Sequence, residues 1–404
     1  MCVSPHNIKA NKNTSVFLYE DLSRAEAQRR GEGIGRKERI DRKGWKRVRL
    51  GDLVARQTIS MGRGNVISKE AIESDPGAYP VFSSSATGDG IIGYYARYMF
   101  EDERISWSID GGGRFFYHPA SRYSETNVSG WIKVHKPAEI NTRYLYRALE
   151  AEWKKKHFDY QTKAHPSVIK NEYIIAYPDI DTQNKIATVI ASCDDYITAI
   201  QSLITKYAAI KKATVNLLLK PRHEISLVKL SDVAFFSTET IKTNEIDTKW
   251  YVGTENMLAN CAGVAKNNTS IQYPRVRSYC QGDILISNIR PYLKKIWLAD
   301  RDGGCSTDVN VIRCKSTELL YEYLYFVLSQ DCFFEHVMRN AIGTKMPRGD
   351  KAVIGDFEFF LPTINEQDRI VHALKELDAM ICNAKYQLVK MEHLKQGMMS
   401  YFFG

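Results

Sequence analysis

Two groups of residues in this chain have the types and surroundings needed to recognise a polyanion or the polar edge of a base. In the first half, Ser84, Ser85, Thr87, Arg114, Lys163 and His165 fall in or beside Gly-, Ser- and Pro-containing stretches that read as loops. In the second half, Asn288, Arg290, Lys294, Lys345 and Arg348 do the same. Arginine can fork two N–H groups onto guanine, asparagine can pair in two directions with adenine, and lysine neutralises phosphate as a point charge. These side chains are the candidate nucleic-acid contacts. Asp110-Gly-Gly-Gly-Arg114 could cradle a phosphate on its N–H groups, but three consecutive glycines more simply make a tight turn. The aromatics Tyr94, Tyr95, Trp107 and Tyr292 read as core.

Catalytic patterns are weak by comparison. A DNA methyltransferase needs a glycine-rich cofactor loop after a strand and an Asn/Asp-Pro-Pro-aromatic tetrapeptide. Asn288-Ile-Arg-Pro-Tyr292 has an extra residue and only one proline, and the other glycine clusters are not placed at strand-to-helix turns. A nuclease needs clustered carboxylates with a lysine around Mg²⁺, and Glu150-Ala-Glu152-Trp-Lys154 is a lone fragment on a helical stretch. The eight cysteines (Cys2, Cys193, Cys261, Cys280, Cys305, Cys314, Cys332 and Cys382) never fall at two-residue spacing, and the nine histidines are scattered. They read as reduced thiols packed as small hydrophobes, with no zinc site. The net charge of +9 suits a DNA partner but carries little weight alone. No apolar run is long enough to span a membrane and the N-terminus lacks a signal-peptide core, so a cytoplasmic protein with no membrane partner is expected.

The elements that must position these residues are revealed by self-similarity. The segment PDIDTQNKI at 178–186 reappears as PTINEQDRI at 362–370, with Pro178, Ile180, Gln183 and Ile186 matching Pro362, Ile364, Gln367 and Ile370. Downstream of each lies a heptad seam. It runs Ile186, Ile190, Cys193, Ile197, Ile200, Ile204, Tyr207 and Ile210 or Lys211 in the first copy. In the second it runs Ile370, Leu374, Leu377, Ile381, Ala384, Leu388, Met391 and Leu394, again in alternating steps of four and three. The proline stops what precedes it, and Asp181 or Asn365 is suited to cap the helix. A first helix reaching Pro221 would be roughly 36 residues and about 54 Å long. Upstream, Trp45-Lys-Arg-Val-Arg-Leu50-Gly-Asp-Leu53 and Ser226-Leu-Val-Lys-Leu230-Ser-Asp-Val233 open the two copies, and Arg143-Tyr144-Leu145-Tyr146 parallels Glu322-Tyr323-Leu324-Tyr325.

Between these landmarks the copies share almost nothing. Short β-prone runs occur at Tyr79–Phe82, Ile91–Tyr95, Ile105–Ile109 and Phe115–Tyr117. Ile284–Ser287, Lys295–Leu298 and Val309–Ile312 have the same character. The expected fold class is mixed α/β. A basic, weakly ordered extension (1–44) precedes a first recognition domain (45–180), a first spacer helix (181–222), a second domain (223–362) and a second spacer helix (363–404). Helices with such seams pair most simply with each other. If antiparallel, they give a pseudo-two-fold duplication with the two variable domains at opposite ends of a rod, a geometry suited to two separate stretches of duplex.

Over 45–404 the chain resembles the specificity subunits of type I restriction–modification systems. The paired proline motifs carry the resemblance. So do Tyr79-Pro-Val-Phe82 with Gly90-Ile-Ile-Gly-Tyr94, Gly282-Asp-Ile-Leu285 with Ile289-Arg-Pro-Tyr292, and Gly343-Thr-Lys-Met-Pro-Arg348. The first copy has Thr162-Lys-Ala-His-Pro166 at the last of these positions, without the glycine. The resemblance implies two target-recognition domains and a non-catalytic subunit that binds double-stranded DNA at an asymmetric bipartite site. It also implies partners: two methyltransferase subunits and restriction subunits, which would hold S-adenosylmethionine, ATP and Mg²⁺, with no cofactor in this chain. The alternative is a coiled-coil scaffold joining two protein-binding domains, which would show no salt-sensitive duplex binding.

Overall fold

A computed structural model describes residues 44–84, 90–156, 158, 163–219, 227–267, 270–339 and 347–404. The basic extension and the expected stop at Pro221 lie outside the described residues. Two compact units emerge, one ending at Cys193 and completed by Leu394–Gly404, the other Asp194–His393.

The first unit opens with β1 (Lys46–Arg49), α1 (Leu50–Ala55), β2 (Ile59–Arg63), α2 (Lys69–Ser74), β3 (Pro76–Phe82) and β4 (Ile91–Tyr95). It continues through β5 (Arg104–Ser108), β6 (Phe115–His118), β7 (Ser124–Glu125), β8 (Ser129–Val134), α3 (Thr142–Trp153), α4 (Pro166–Glu172) and β9 (Ile174–Tyr177) into the long helix α5 (Ile180–Leu218). A four-stranded sheet, β2-β8-β5-β6, carries the core, beside a three-stranded sheet β4-β3-β7 and the pair β1-β9. Ile105, Trp107 and Ile132 from the larger sheet pack with Leu50, Leu53, Tyr144, Leu145 and Ile169. Trp107 faces Gly130 across the β5–β8 ladder, where a Cβ would stand 2.1 Å from the indole, so only glycine fits.

The second unit repeats this plan with β10 (Leu227–Lys229), α6 (Leu230–Val233), β11 (Ala234–Phe236), β12 (Thr240–Lys242), β13 (Arg275–Tyr279), β14 (Ile284–Ser287) and β15 (Ile296–Leu298). β16 (Gly303–Cys305), β17 (Val309–Cys314), α7 (Tyr321–Leu328), α8 (Asp331–Arg339), α9 (Lys351–Gly355) and β18 (Glu358–Phe360) lead into α10 (Ile364–Phe403). Its sheets are β11-β17-β14-β15, β12-β13-β16 and β10-β18. Sheet for sheet the duplication is therefore visible in three dimensions. The small sheets are where the copies differ: β3 is central and pairs parallel with β7, whereas β13 is central and pairs antiparallel with β16.

What the repeated motif does is now clear. Gln183 and Gln367 are both fully buried. Gln183 Oε1 accepts the N–H of Asn141 at 3.0 Å, and its Nε2 donates to the carbonyls of Pro178 (2.9 Å) and Glu139 (3.3 Å). Gln367 Oε1 accepts the N–H of Leu320 at 2.8 Å, and its Nε2 donates to Pro362 (2.9 Å) and Glu318 (2.7 Å). The paired tyrosines repeat too: the Tyr144 hydroxyl donates to Ala176 and that of Tyr323 to Phe360. The helix caps differ from expectation. Asp179, not Asp181, accepts the N–H and hydroxyl of Thr182, and Thr363, not Asn365, donates its N–H and hydroxyl to the Glu366 carboxylate at the start of the second helix. The helices begin two residues after proline, so the residue between takes the capping position.

The seam residues from Ile186 to Tyr207 and from Ile370 to Leu394 are buried or half-buried. Within the first unit the opening turns of α5 (Ile186, Ile190) share a core with the closing turns of α10 (Met399, Phe402, Phe403). Within the second, the end of α5 (Val215, Leu218) packs with the start of α10 (Ile370, Val371, Leu374), and Lys211 Nζ meets Asp378 Oδ1 at 2.5 Å. In each unit the two helices thus meet antiparallel.

Replacing Gln183 or Gln367 with leucine keeps the volume and strands one N–H and two carbonyls. Each change should lower unfolding free energy by about 2–4 kcal/mol, measured by urea titration.

Candidate nucleic-acid interface

In the first unit the candidate residues gather on the turn between β5 and β6. Ala164 N donates to Ile109 O at 3.1 Å, and the Trp107 indole N–H donates to Ala164 O at 2.8 Å, so the segment before α4 is tied to this turn. Lys163 Nζ lies 3.0 Å from Asp110 Oδ1. The Ser84 hydroxyl donates to Val128 O at 2.5 Å and accepts from Ser108 Oγ (2.8 Å) and Asp110 N (3.1 Å), making it an internal pin. The N–H groups of Gly111 and Gly113 are bonded to Ser108, which makes Asp110–Arg114 a tight turn with its amides turned inward. Gly112 and Gly113 have φ of +84° and +76°. The Arg114 guanidinium sits 5.0 Å from the Phe116 ring centroid. His165 caps α4 through Nδ1, which accepts the Ser167 N–H. Ser85 and Thr87 lie outside the described residues.

The second unit builds its counterpart on the turn between β14 and β15. Here the tether is the segment before α9: Arg290 N donates to Pro347 O at 2.9 Å, Gly349 N donates to Asn288 O at 3.1 Å, and Ile289 forms an antiparallel bridge with Arg348. Asn288, Arg290 and Arg348 are thereby brought together, while Lys345 lies outside the described residues. The Arg348 guanidinium reaches Asp308 at 3.4 Å. Arg290 and Lys294 bracket a single 3₁₀ turn with φ of +53° and +50°, left-handed conformations that disfavour side chains. Arg290 is exposed, and its guanidinium has no partner among the described residues. Lys294 points the other way: its ammonium donates to Asp331 at 2.7 Å, a bond that holds the Asp331 carboxyl below the usual range.

Two expected core aromatics are instead exposed. Tyr94 is 53% exposed because β4 is a sheet edge, and Tyr292 is 51% exposed at the centre of the 3₁₀ turn, beside Arg290. Trp107 is buried as expected. Sequence reasoning also passed over Asn310, a buried amide behind Asn288; its signal is a polar residue inside the apolar run Val309–Ile312.

These paired turns sit in a duplicated framework, and the framework has relatives. Residues 42–212 and 224–391 each match the type I restriction modification DNA specificity domain. The chain belongs to the type I restriction–modification specificity family. It is 22% identical over 402 residues to the MjaVIII specificity subunit of Methanocaldococcus jannaschii, covering 88% of this chain and 91% of that protein. Over 149 residues it is 28% identical to the MpnII specificity subunit of Mycoplasma pneumoniae, covering 35% of this chain and 44% of that one. The crystal structure of the S subunit from M. genitalium superposes with a TM-score of 0.64 at 14% identity, over 92% of this chain and 99% of that one, which shows a shared fold. As a specificity subunit with two target-recognition domains, the protein is not an enzyme; catalysis in such systems lies in the methyltransferase and restriction subunits. Among the described residues no helix is long and apolar enough to cross a membrane, and no His/Cys/Asp/Glu group is placed to hold a metal ion.

Arg290 tests whether the strained turn is kept for its side chain. Arg290→Gly should leave unfolding free energy within about 1 kcal/mol of the parent, because strain relief offsets the glycine entropy. Duplex binding should still fall about tenfold in a fluorescence-anisotropy titration.

Proposed function

We propose that this specificity subunit reads an asymmetric, two-part DNA site, one part with each unit, and scaffolds two methyltransferase subunits and the restriction subunits. The observation that carries this reading is the matched placement of two chemically different turns. Each joins the same two strands of the larger sheet and is tied to the segment before the same short helix. One turn bears Arg114 and, through Asp110, holds Lys163; the other bears Asn288 and Arg290 and is bridged to Arg348. A shared framework holding different donors suits two different half-sequences. The relatives named above are specificity subunits by name, which supports the same role here.

The scaffold role has its own support on α5. Tyr196, Leu203, Ile210 and Leu217 fall seven residues apart and are all exposed, Leu217 to 70%; the half-buried Lys211, not Ile210, takes the last seam position, so the four lie off the seam. Seven-residue spacing places them in one stripe along the helix, and such a stripe is what a partner helix needs. S-adenosylmethionine, ATP and Mg²⁺ then belong to the partner subunits.

Duplex binding by the complex with methyltransferase subunit should weaken with salt by about 0.9 log units per phosphate contact for each tenfold rise. It should also protect a defined bipartite sequence from nuclease. Binding that ignores both salt and sequence would contradict the reading. Leu203→Glu should reduce methyltransferase capture by about tenfold or more, in line with the loss of one buried leucine. Isothermal titration with purified partner measures it.

A further inference from the structure

Behind the second turn lies a buried amide that the framework does not require. Asn310 stands in β17 between the buried Val309 and Val311, opposite the buried Ile286 of β14, and is itself 1% exposed. A polar side chain at such a position costs free energy unless paired. Its Nδ2 donates to Asn288 Oδ1 at 3.1 Å, and its own Oδ1 is buried with no hydrogen-bond partner among the described residues.

Hydrogen-bond arithmetic sets the direction of this contact. An amide has two N–H donors on one end and an acceptor oxygen on the other. Reversing both amides would leave both Asn310 N–H groups buried and unpaired, and orphaned donors are rarer than an under-satisfied carbonyl. Asn288 therefore turns its oxygen inward, which leaves its Nδ2 to face outward. Gly349 leaves room for this: a Cβ there would stand 3.4 Å from Asn288 Oδ1 and 2.9 Å from Val337.

We propose that Asn310 is a positioning residue for sequence reading. By taking the oxygen of Asn288, it makes the second unit present a hydrogen-bond donor at one position of its half-site. That donor suits a keto base, guanine or thymine, whose major-groove edge accepts, over cytosine, whose edge donates. The inference rests on the proposed DNA-reading role of this unit.

The test uses the full chain with its methyltransferase subunit, selecting duplexes from a library randomised in both half-sites. Asn288→Asp keeps one carboxylate oxygen on Asn310 and turns the other outward. Asn310→Asp accepts from Asn288 Nδ2 and turns the Asn288 oxygen outward. Both variants should shift the same single position from a keto base to an amino base, adenine or cytosine, by about tenfold in relative enrichment, leaving the other half-site unchanged. Any uniform weakening from the added carboxylate cancels in that ratio. Asn288 is only half-buried, so its variant stays informative if Asn310→Asp does not fold. The proposal is overturned if folded Asn288→Asp keeps the parent base everywhere, if preference is lost at several positions, or if the parent already selects an amino base there. If the unsubstituted complex enriches no bipartite sequence, it is the DNA-reading role itself that fails.

Discussion

Each unit is organised around one buried glutamine amide. Gln183 and Gln367 tie three backbone groups that belong to different elements: the N–H at the start of α3 or α7, the carbonyl just before it, and the carbonyl of the proline that ends β9 or β18. No other side chain of that length offers one acceptor and two donors in this arrangement. A glutamate would turn a carboxylate oxygen toward two carbonyls, and a leucine would leave all three groups unpaired in a dry site. Because the amide sits in the first turns of the long helix, the direction in which that helix leaves the sheet is set by the same bonds. Tyr144 and Tyr323 then fasten the preceding helix to the last strand.

With the frame secured this way, the turns are free to change chemistry. Both units need positive φ in the loop after the same strand. The first meets it with Gly112 and Gly113, the second with Arg290 and Lys294. Left-handed conformations cost a side chain about 1 kcal/mol or more, so retaining a long cation there gives up stability that glycine would return. Lys294 recovers part of it by bonding Asp331. Arg290 has no such partner among the described residues, which makes it the side chain in this loop whose position is least explained by folding.

The frame was largely legible in the amino-acid sequence and the site only partly. Ile91–Tyr95 and Ile284–Ser287 are strands with the expected bounds, because apolar runs flanked by glycine or polar turns end abruptly. The seam positions of both long helices are buried or half-buried, since a strict four-three repeat admits one buried face. The caps were misplaced because two residues able to cap follow each proline, Asp179 and Asp181 or Thr363 and Asn365, and only backbone geometry chooses the first of each pair. Tyr292 was misjudged for a related reason: aromatic type suggests burial, but a 3₁₀ turn between two left-handed residues aims it outward. The parallel pairing of β3 with β7 and the contact of Asn310 with Asn288 join residues 22 or more apart. No local pattern encodes such pairings.

The candidate cations also differ in how they are held, and that bears on how each unit would engage a phosphate or a base. Lys163 already faces Asp110, and Arg348 faces Asp308, in partly exposed pairs of modest strength. For such a cation to bind phosphate it must share or leave its carboxylate, so part of the electrostatic gain is offset and the carboxylate repels the backbone. Those same carboxylates discourage binding wherever no base contact compensates. A reader that paired none of its cations would hold any duplex by charge alone. Internal pairing therefore shifts discrimination from the phosphates, which are the same everywhere, toward the amide and guanidinium groups that can tell one base from another.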